Sequence, residues 1–66
     1  MYVTINGETT QLDDGLTVAA LVGQLGLNQR RIAVEINREI LAREQYGACA
    51  LADGDQVEIV QFVGGG

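Results

Sequence analysis

A single helical pattern lies between two β-rich stretches of the sequence, and this order restricts the possible folds more than any other feature. Thr17 has the position and the side chain of a helix N-cap. Apolar residues then follow at the spacing of one helix face: Val18, Leu21, Val22 and Leu25. Gly26 suits the left-handed position that ends many helices. The sequence therefore predicts a helix over about residues 17–25, which can cover one face of a sheet.

The stretch before the helix predicts a β-hairpin. Residues 2–5 are rich in β-branched and aromatic side chains, and Asn6-Gly7 follows them directly. Asn-Gly is a strong hairpin signal because both central positions of the tightest turn need a positive φ. Residues 8–12 then form the second strand, and residues 13–15 break it.

The stretch after the helix predicts three further strands. Residues 32–36 alternate bulky apolar with small or charged side chains, as a half-buried strand does. A turn at 37–39 leads into a short strand at 40–42, and the last strand covers 56–62.

Two connecting segments separate these strands from their neighbours. Residues 28–31 are expected to be a polar loop, and residues 43–52 an irregular segment that Tyr46 and Leu51 anchor. A second clear turn follows at residues 53–55.

The order strand, strand, helix, strand, short strand, strand predicts an α+β fold of the ubiquitin-like β-grasp type. Such a fold has a mixed sheet of four to five strands with one main helix on one face, and its first and last strands are parallel neighbours in the centre. A chain of 66 residues has room for one small core. We expect a β-grasp domain at residues 1–62 and a flexible C-terminal glycine tail at 63–66.

The composition argues against catalysis by this chain alone. The sequence has no histidine, so the usual neutral-pH proton shuttle and commonest metal ligand is missing. The one cysteine, Cys49, cannot build a usual zinc or iron–sulfur site and is interpreted as a small apolar residue. We therefore expect a protein that is not an enzyme and that binds no metal or other cofactor.

The net charge of −5 argues against nucleic acid and anionic membranes as partners and favours a basic protein groove. The sequence shows no signal peptide and no apolar stretch of about 18 residues. Together with an unpaired cysteine, which fits a reducing compartment, this predicts a cytoplasmic location.

The predicted last strand runs into Gly64, Gly65 and Gly66, and this tail is expected to be the reactive end. Short terminal tails are commonly disordered ends without function. Glycine, however, has no Cβ, so a run of it can pass through a channel that any side chain would block. The chain also lacks lysine, which suits a protein whose own carboxyl group becomes an activated acyl group.

Alternation along the last strand predicts an exposed apolar patch next to this tail. If Val57 and Ile59 face the helix, then Val60 and Phe62 face the other side of the sheet. Tyr2 on the first strand is expected to join them. Contiguous exposed apolar residues tend to mark interaction sites, whereas scattered ones are ordinary.

Several segments spread over the whole chain carry a family resemblance: the Asn6-Gly7 hairpin, the helix entry at 16–18, and residues 32–37, 43–46, 53–57 and 62–66. Together they resemble the ThiS family, the sulfur carrier proteins of thiamine biosynthesis. The glycine ending alone is shared with ubiquitin-like modifiers and with the small subunit of molybdopterin synthase. The length, the Arg43-Glu44 segment and the final residues in combination favour the thiamine member.

The resemblance implies that Gly66 carries the chemistry. An adenylating enzyme of the ThiF type, related to ubiquitin-activating enzymes, would use ATP and magnesium to convert the Gly66 carboxylate into an acyl adenylate. A persulfide from a sulfur donor such as a cysteine desulfurase would replace AMP and leave a thiocarboxylate. A thiazole synthase of the ThiG type would take that sulfur to build the thiazole ring.

The other tail residues have supporting roles in this scheme. Gly64 and Gly65 would thread the tail into the partner's active site, because a side chain there would obstruct entry. Val60, Phe62 and Val63 would dock the root of the tail on the partner.

Three alternatives remain open from the sequence. The chain could be a sulfur carrier of the molybdopterin synthase type, or a ubiquitin-like modifier that is joined through Gly66 to target lysines. It could also be a β-grasp module that binds partners non-covalently and whose tail has no function.

Overall fold

A computed structural model describes residues 1–63 of the chain. Within that range there are five strands, one α-helix and two short 3-10 helices, at Gln29–Arg31 and Arg43–Gln45. The strands and the helix have the following bounds: β1 Tyr2–Ile5, β2 Glu8–Gln11, α1 Val18–Gln24, β3 Ile32–Ile36, β4 Glu39–Leu41 and β5 Gln56–Gln61.

The strands form one mixed sheet in the order β2-β1-β5-β3-β4. Strands β1 and β5 are parallel, and the other neighbouring pairs are antiparallel. The first and last strands are therefore neighbours inside the sheet, and β5 is its central strand. This confirms the predicted β-grasp arrangement.

The turn between β1 and β2 has the conformation that its sequence predicts. Asn6 has a φ of 49° and Gly7 a φ of 84°, so both central residues lie in the left-handed region. This is the turn that matches the twist of two antiparallel strands and that favours Asn-Gly.

Helix α1 is capped at both ends by local hydrogen bonds. The Thr17 hydroxyl oxygen accepts a bond from the Ala20 N–H at 3.1 Å, as the N-cap prediction requires. At the other end Gly26 has a φ of 71°. The Leu27 N–H donates to the Val22 carbonyl oxygen at 3.1 Å, which closes the helix in a Schellman motif.

The hydrophobic core lies between α1 and one face of the sheet. It includes Tyr46 and Leu51, which confirms that these residues anchor the irregular segment. The other buried residues of the core cluster come from the helix and the central strands: Val18, Leu21, Val22, Ile32, Val34, Val57 and Ile59. The opposite face of the sheet carries no helix within residues 1–63.

Local structure differs from the sequence predictions in several places. Strand β2 ends at Gln11 instead of residue 12, and the segment at 43–52 begins with the 3-10 helix Arg43–Gln45. The expected polar loop at 28–31 contains the 3-10 helix Gln29–Arg31, because the Asn28 side chain accepts a bond from the Arg30 N–H and caps it. Strand β4 covers Glu39–Leu41 and so lies one residue earlier than expected. Strand β5 ends at Gln61 instead of residue 62.

Candidate functional site

The last strand alternates between the core and the uncovered face of the sheet. Val57 and Ile59 are buried against the helix side. Val60 and Phe62 are exposed at 56% and 54%. The predicted orientation of Val57, Ile59 and Val60 is therefore confirmed, and Phe62 is not buried under another element of residues 1–63. Val63 is 95% exposed. We call the three residues Val60, Phe62 and Val63 the tail-root patch.

Tyr2 does not belong to the tail-root patch, contrary to the sequence prediction. Its side chain is exposed, as expected. The Gly54 N–H, however, donates to the Tyr2 carbonyl oxygen at 2.7 Å, so Tyr2 lies beside the start of β5. Val60 is six residues beyond Gly54, which corresponds to about 20 Å at the rise of an extended strand. Alternation predicted the correct face, but the position along that face depends on the register of two strands that are distant in sequence.

Two glutamates lie directly opposite each other on the uncovered face. The register of β3 and β5 pairs Glu35 with Glu58. The next row on that face pairs Ala33 with Val60. The uncovered face is therefore acidic in its middle and apolar towards the tail root.

Arginines lie at the end of the sheet where the tail begins. The Phe62 N–H donates to the Arg31 carbonyl oxygen at 2.8 Å. Arg43 Nη2 donates to the Arg30 carbonyl oxygen at 3.5 Å, which brings a third arginine to this end. Within residues 1–63, one pair of oppositely charged groups lies close enough to form a salt bridge: the Met1 amino group and the Asp14 carboxylate, at 3.0 Å. These guanidinium groups are therefore not neutralised by a carboxylate of the described chain.

The edge of β5 next to β1 has an unusual partner. Strand β1 pairs with β5 only as far as Ile5 opposite Val57. Beyond that point the Asn6 side chain takes over: its Oδ1 accepts from the Ile59 N–H at 2.7 Å, and its Nδ2 donates to the Ile59 carbonyl oxygen at 3.1 Å. Sequence reasoning assigned Asn6 to the turn alone and missed this contact.

An open groove of about 600 Å³ lies beside this edge, between the end of α1 and the β1–β2 hairpin. Its apolar lining includes Ile5, Leu12, Leu21, Leu25, Leu27 and Ile59. Gln61 is among its polar lining residues. The groove and the tail-root patch therefore flank the same strand end from opposite faces of the sheet.

The aspartates of the turn at residues 53–55 and the one cysteine have structural roles. Asp53 Oδ1 accepts from the Tyr2 N–H at 2.7 Å, and Asp55 Oδ2 accepts from the Ala52 N–H at 2.8 Å. Cys49 is half-buried and packs against the core. In the described part of the chain, no three side chains of metal-ligating type are grouped to hold a metal ion.

The predicted reactive residue Gly66 and the predicted threading residues Gly64 and Gly65 lie outside the described residues. Val63 is the last residue before them. Three extended residues span at most about 11 Å, so the Gly66 carboxyl group stays within that distance of Val63. An enzyme that acts on it must therefore contact the surface around the tail root.

Comparison with known proteins gives a family match over nearly the whole chain. The sequence model of the ThiS family matches residues 3–66. The chain is 36% identical to the sulfur carrier protein ThiS of Escherichia coli, and the alignment covers 100% of both chains. It is also similar to the crystal structure of the thiamine biosynthesis protein ThiS from Geobacter metallireducens, with a TM-score of 0.84, 39% identity and 100% coverage of both chains.

A larger protein also contains a similar segment. The thiazole synthase of Paramagnetospirillum magneticum is 47% identical to this chain over 66 residues, which are 100% of this chain and 20% of that protein. The chain thus spans a fifth of the length of this relative. No helix within residues 1–63 is long and apolar enough to cross a membrane.

Proposed function

The chain belongs to the ThiS family, and on that basis we propose that it is a sulfur carrier that delivers sulfur for thiazole formation in thiamine biosynthesis. The carboxyl group of Gly66 is the site of modification. The folded domain presents this group to partner enzymes and is itself a protein co-substrate.

Activation comes first because a carboxylate is a poor acyl electrophile. A Gly66 carboxylate oxygen attacks the α-phosphorus of ATP, and pyrophosphate leaves, which forms an acyl adenylate. A persulfide sulfur then attacks the carbonyl carbon and displaces AMP, so that an acyl disulfide forms. A thiol reduces that disulfide and leaves the thiocarboxylate on Gly66.

Three kinds of partner supply the chemistry that this chain lacks. An adenylating enzyme of the ThiF type binds ATP and magnesium, and a sulfur donor such as a cysteine desulfurase supplies the persulfide. A thiazole synthase of the ThiG type accepts the sulfur. The thiazole synthase is the partner with direct support, because a protein of that name contains a segment similar to this chain. The cytoplasm is the compartment that we assign to this pathway.

The single observation that carries the proposal is the extent of the family match, which continues through Gly66. The family pattern therefore includes the glycine tail as well as the fold. Gly64 and Gly65 thread the tail into a narrow partner site because they lack a Cβ. The exposed Val60, Phe62 and Val63 dock the tail root on the partner surface.

Intact-mass spectrometry tests the proposed function. The chain is incubated with the adenylating enzyme, ATP, magnesium and a persulfide donor, and the expected product has one oxygen of Gly66 replaced by sulfur. A chain that lacks Gly66 is the control and gains no sulfur. Amide linkage of Gly66 to lysines of other proteins would instead indicate a modifier, and full function without Gly66 would indicate a non-covalent module.

The identity of the acceptor separates the thiamine pathway from the molybdopterin pathway. The purified thiocarboxylate form is mixed with thiazole synthase and its other substrates, and the loss of sulfur from Gly66 is followed by mass. We expect loss that depends on the synthase. Transfer only to a molybdopterin synthase large subunit would contradict the assignment.

A further inference from the structure

We propose that the edge of β5 at Gln61, which has no strand partner on the β1 side within residues 1–63, accepts an extended backbone segment of the thiazole synthase, which adds a strand to the sheet. This inference rests on the proposed function and names the contact by which the synthase holds the tail root. Recognition by strand addition uses main-chain hydrogen bonds for affinity and alternate side chains for specificity.

The hydrogen bonds of β5 show to which side each of its residues directs its backbone. Gln56 accepts from the Asn37 N–H at 2.7 Å, and the Phe62 N–H donates to Arg31, so even-numbered residues bond towards β3. Ile59 bonds towards β1 through Asn6. Because successive residues of a strand alternate, the N–H and carbonyl of Gln61 also point towards the β1 side.

Strand β1 does not extend far enough to meet those groups. Its last pair with β5 is Ile5 with Val57, and the chain then turns through Asn6 and Gly7 into β2. The Asn6 side chain satisfies Ile59 and reaches no further along β5 than that residue. Among the residues of β5 that face β1, Gln61 is therefore the first whose backbone groups meet neither the β1 backbone nor the Asn6 side chain.

The surroundings of this gap fit a polypeptide strand. A segment placed beside Gln61 would direct alternate side chains to the two faces of the sheet. On the helix side they would enter the apolar groove, where Leu25 is 46% exposed. On the other side they would meet the exposed Val60 and Phe62. One added strand would thus cover apolar surface on both faces.

The reach of the tail restricts the occupant to an enzyme that acts on Gly66. An enzyme that takes sulfur from Gly66 lies within about 11 Å of Val63 and so must cover the strand end. The thiazole synthase is the occupant that we assign, because a protein of that name carries a segment 47% identical to this chain, which places the two units at high effective concentration.

Backbone substitution gives the first test. Gln61→Pro removes the N–H that faces the gap, and it leaves intact the bonds that even-numbered residues make to β3. Proline is tolerated where a strand N–H faces outward. The matched control Gln61→Ala removes the side chain and keeps the N–H. Because the Gln61 side chain also lines the groove, the effect of the backbone N–H is the difference between the two variants. We expect Gln61→Pro to raise the Kd for thiazole synthase about tenfold more than Gln61→Ala does.

Amide hydrogen exchange on the unsubstituted chain gives a second test that does not depend on a variant. In the free protein the Gln61 amide should exchange about tenfold or more faster than those of Val60 and Phe62, which face β3. Saturation with thiazole synthase should protect the Gln61 amide by a similar factor. Protection already present in the free protein, or none gained in the complex, would overturn the proposal.

The outcomes also separate this inference from the proposed function. If the synthase accepts sulfur equally well from the unsubstituted chain and from a folded Gln61→Pro variant, the edge proposal fails and the carrier function stands. If the synthase neither binds the chain nor takes its sulfur, both fail. If Gln61 becomes protected as the chain's own concentration rises, without synthase, the edge pairs with a second copy and the proposal is wrong.

Discussion

The Asn6 side chain replaces a strand residue opposite Ile59. Its Oδ1 accepts from the Ile59 N–H at 2.7 Å and its Nδ2 donates to the Ile59 carbonyl oxygen at 3.1 Å. One side chain thus continues the ladder between β1 and β5 at the point where the backbone of β1 turns away. The amide has both the donor and the acceptor that a backbone peptide group would supply.

Replacement of Asn6 by glycine should destabilise the fold without straining the turn. Gly accepts the positive φ of this position, so the change isolates the loss of the two hydrogen bonds. We expect a decrease of about 1–3 kcal/mol in the free energy of unfolding, because two partly buried backbone groups lose their partner. Urea denaturation measures it. An unchanged midpoint would show that water replaces the amide at no cost.

The N-cap of α1 gives a prediction of similar kind. The Thr17 hydroxyl oxygen accepts from the Ala20 N–H at 3.1 Å. Thr17→Ala removes this acceptor and should lower the free energy of unfolding by about 1 kcal/mol. Thr17→Ser keeps the hydroxyl and should lose much less. Equal losses in the two variants, measured by thermal denaturation, would point to packing of the threonine methyl group instead.

Arg38 occupies a backbone conformation that favours glycine. Its φ is 71° in the turn between β3 and β4, and the preceding Asn37 has a φ of 51°. A side chain other than Asn, Asp or Gly in this region costs about 1–2 kcal/mol. Arg38→Gly should therefore raise the free energy of unfolding by up to about 1 kcal/mol, after the entropy cost of glycine.

The control for that prediction is Arg38→Ala, which removes the same positive charge and keeps a Cβ. It should bring no gain in the urea midpoint. A gain of equal size in both variants would assign the effect to charge, since the chain is already acidic.

These local features explain which parts of the fold the sequence could predict. The Asn6-Gly7 turn, the Thr17 cap and the Gly26 helix end each depend on interactions within a few residues. Their residue types carry the information directly, because each conformation admits few side chains. The alternation of β5 likewise predicted which residues would be buried.

Contacts between distant parts of the chain were harder to predict. Asn6 and Ile59 are 53 positions apart. The Asn-Gly turn also explained the presence of Asn6, so nothing in the sequence indicated a second contact. The wrong prediction that Tyr2 joins Val60 and Phe62 also concerns residues distant in sequence. Alternation determines on which face of the sheet a residue lies, whereas the register of the paired strands determines its position along that face. The short helix after Asn28 could have been recognised, since asparagine is a common N-cap residue.

The opposed glutamates on the uncovered face predict a charge effect on stability. Glu58 lies directly opposite Glu35, and like charges in that position destabilise a sheet. Glu58→Gln should raise the free energy of unfolding by about 0.2–1 kcal/mol at low salt. The control Glu39→Gln removes one negative charge next to the apolar Ile36 and should have a smaller effect. At about 1 M salt the difference between the two variants should disappear, because the Debye length falls to about 3 Å.

The tail-root patch predicts a loss of partner recognition without a loss of folding. Phe62 is 54% exposed, and Ile40, on the same face but beside Glu35, is 80% exposed. Phe62→Ala should reduce kcat/KM for thiocarboxylate formation by the adenylating enzyme about tenfold, as truncation of an aromatic anchor does.

Ile40→Ala removes a similar apolar side chain and should leave kcat/KM within about twofold of the unsubstituted value. The free energy of unfolding of both variants should lie within about 1 kcal/mol of that of the unsubstituted chain, because the substitutions change surface residues. Equal effects of the two substitutions would show that exposed apolar area in general, and not the root of the tail, determines how the partner enzyme recognises this face.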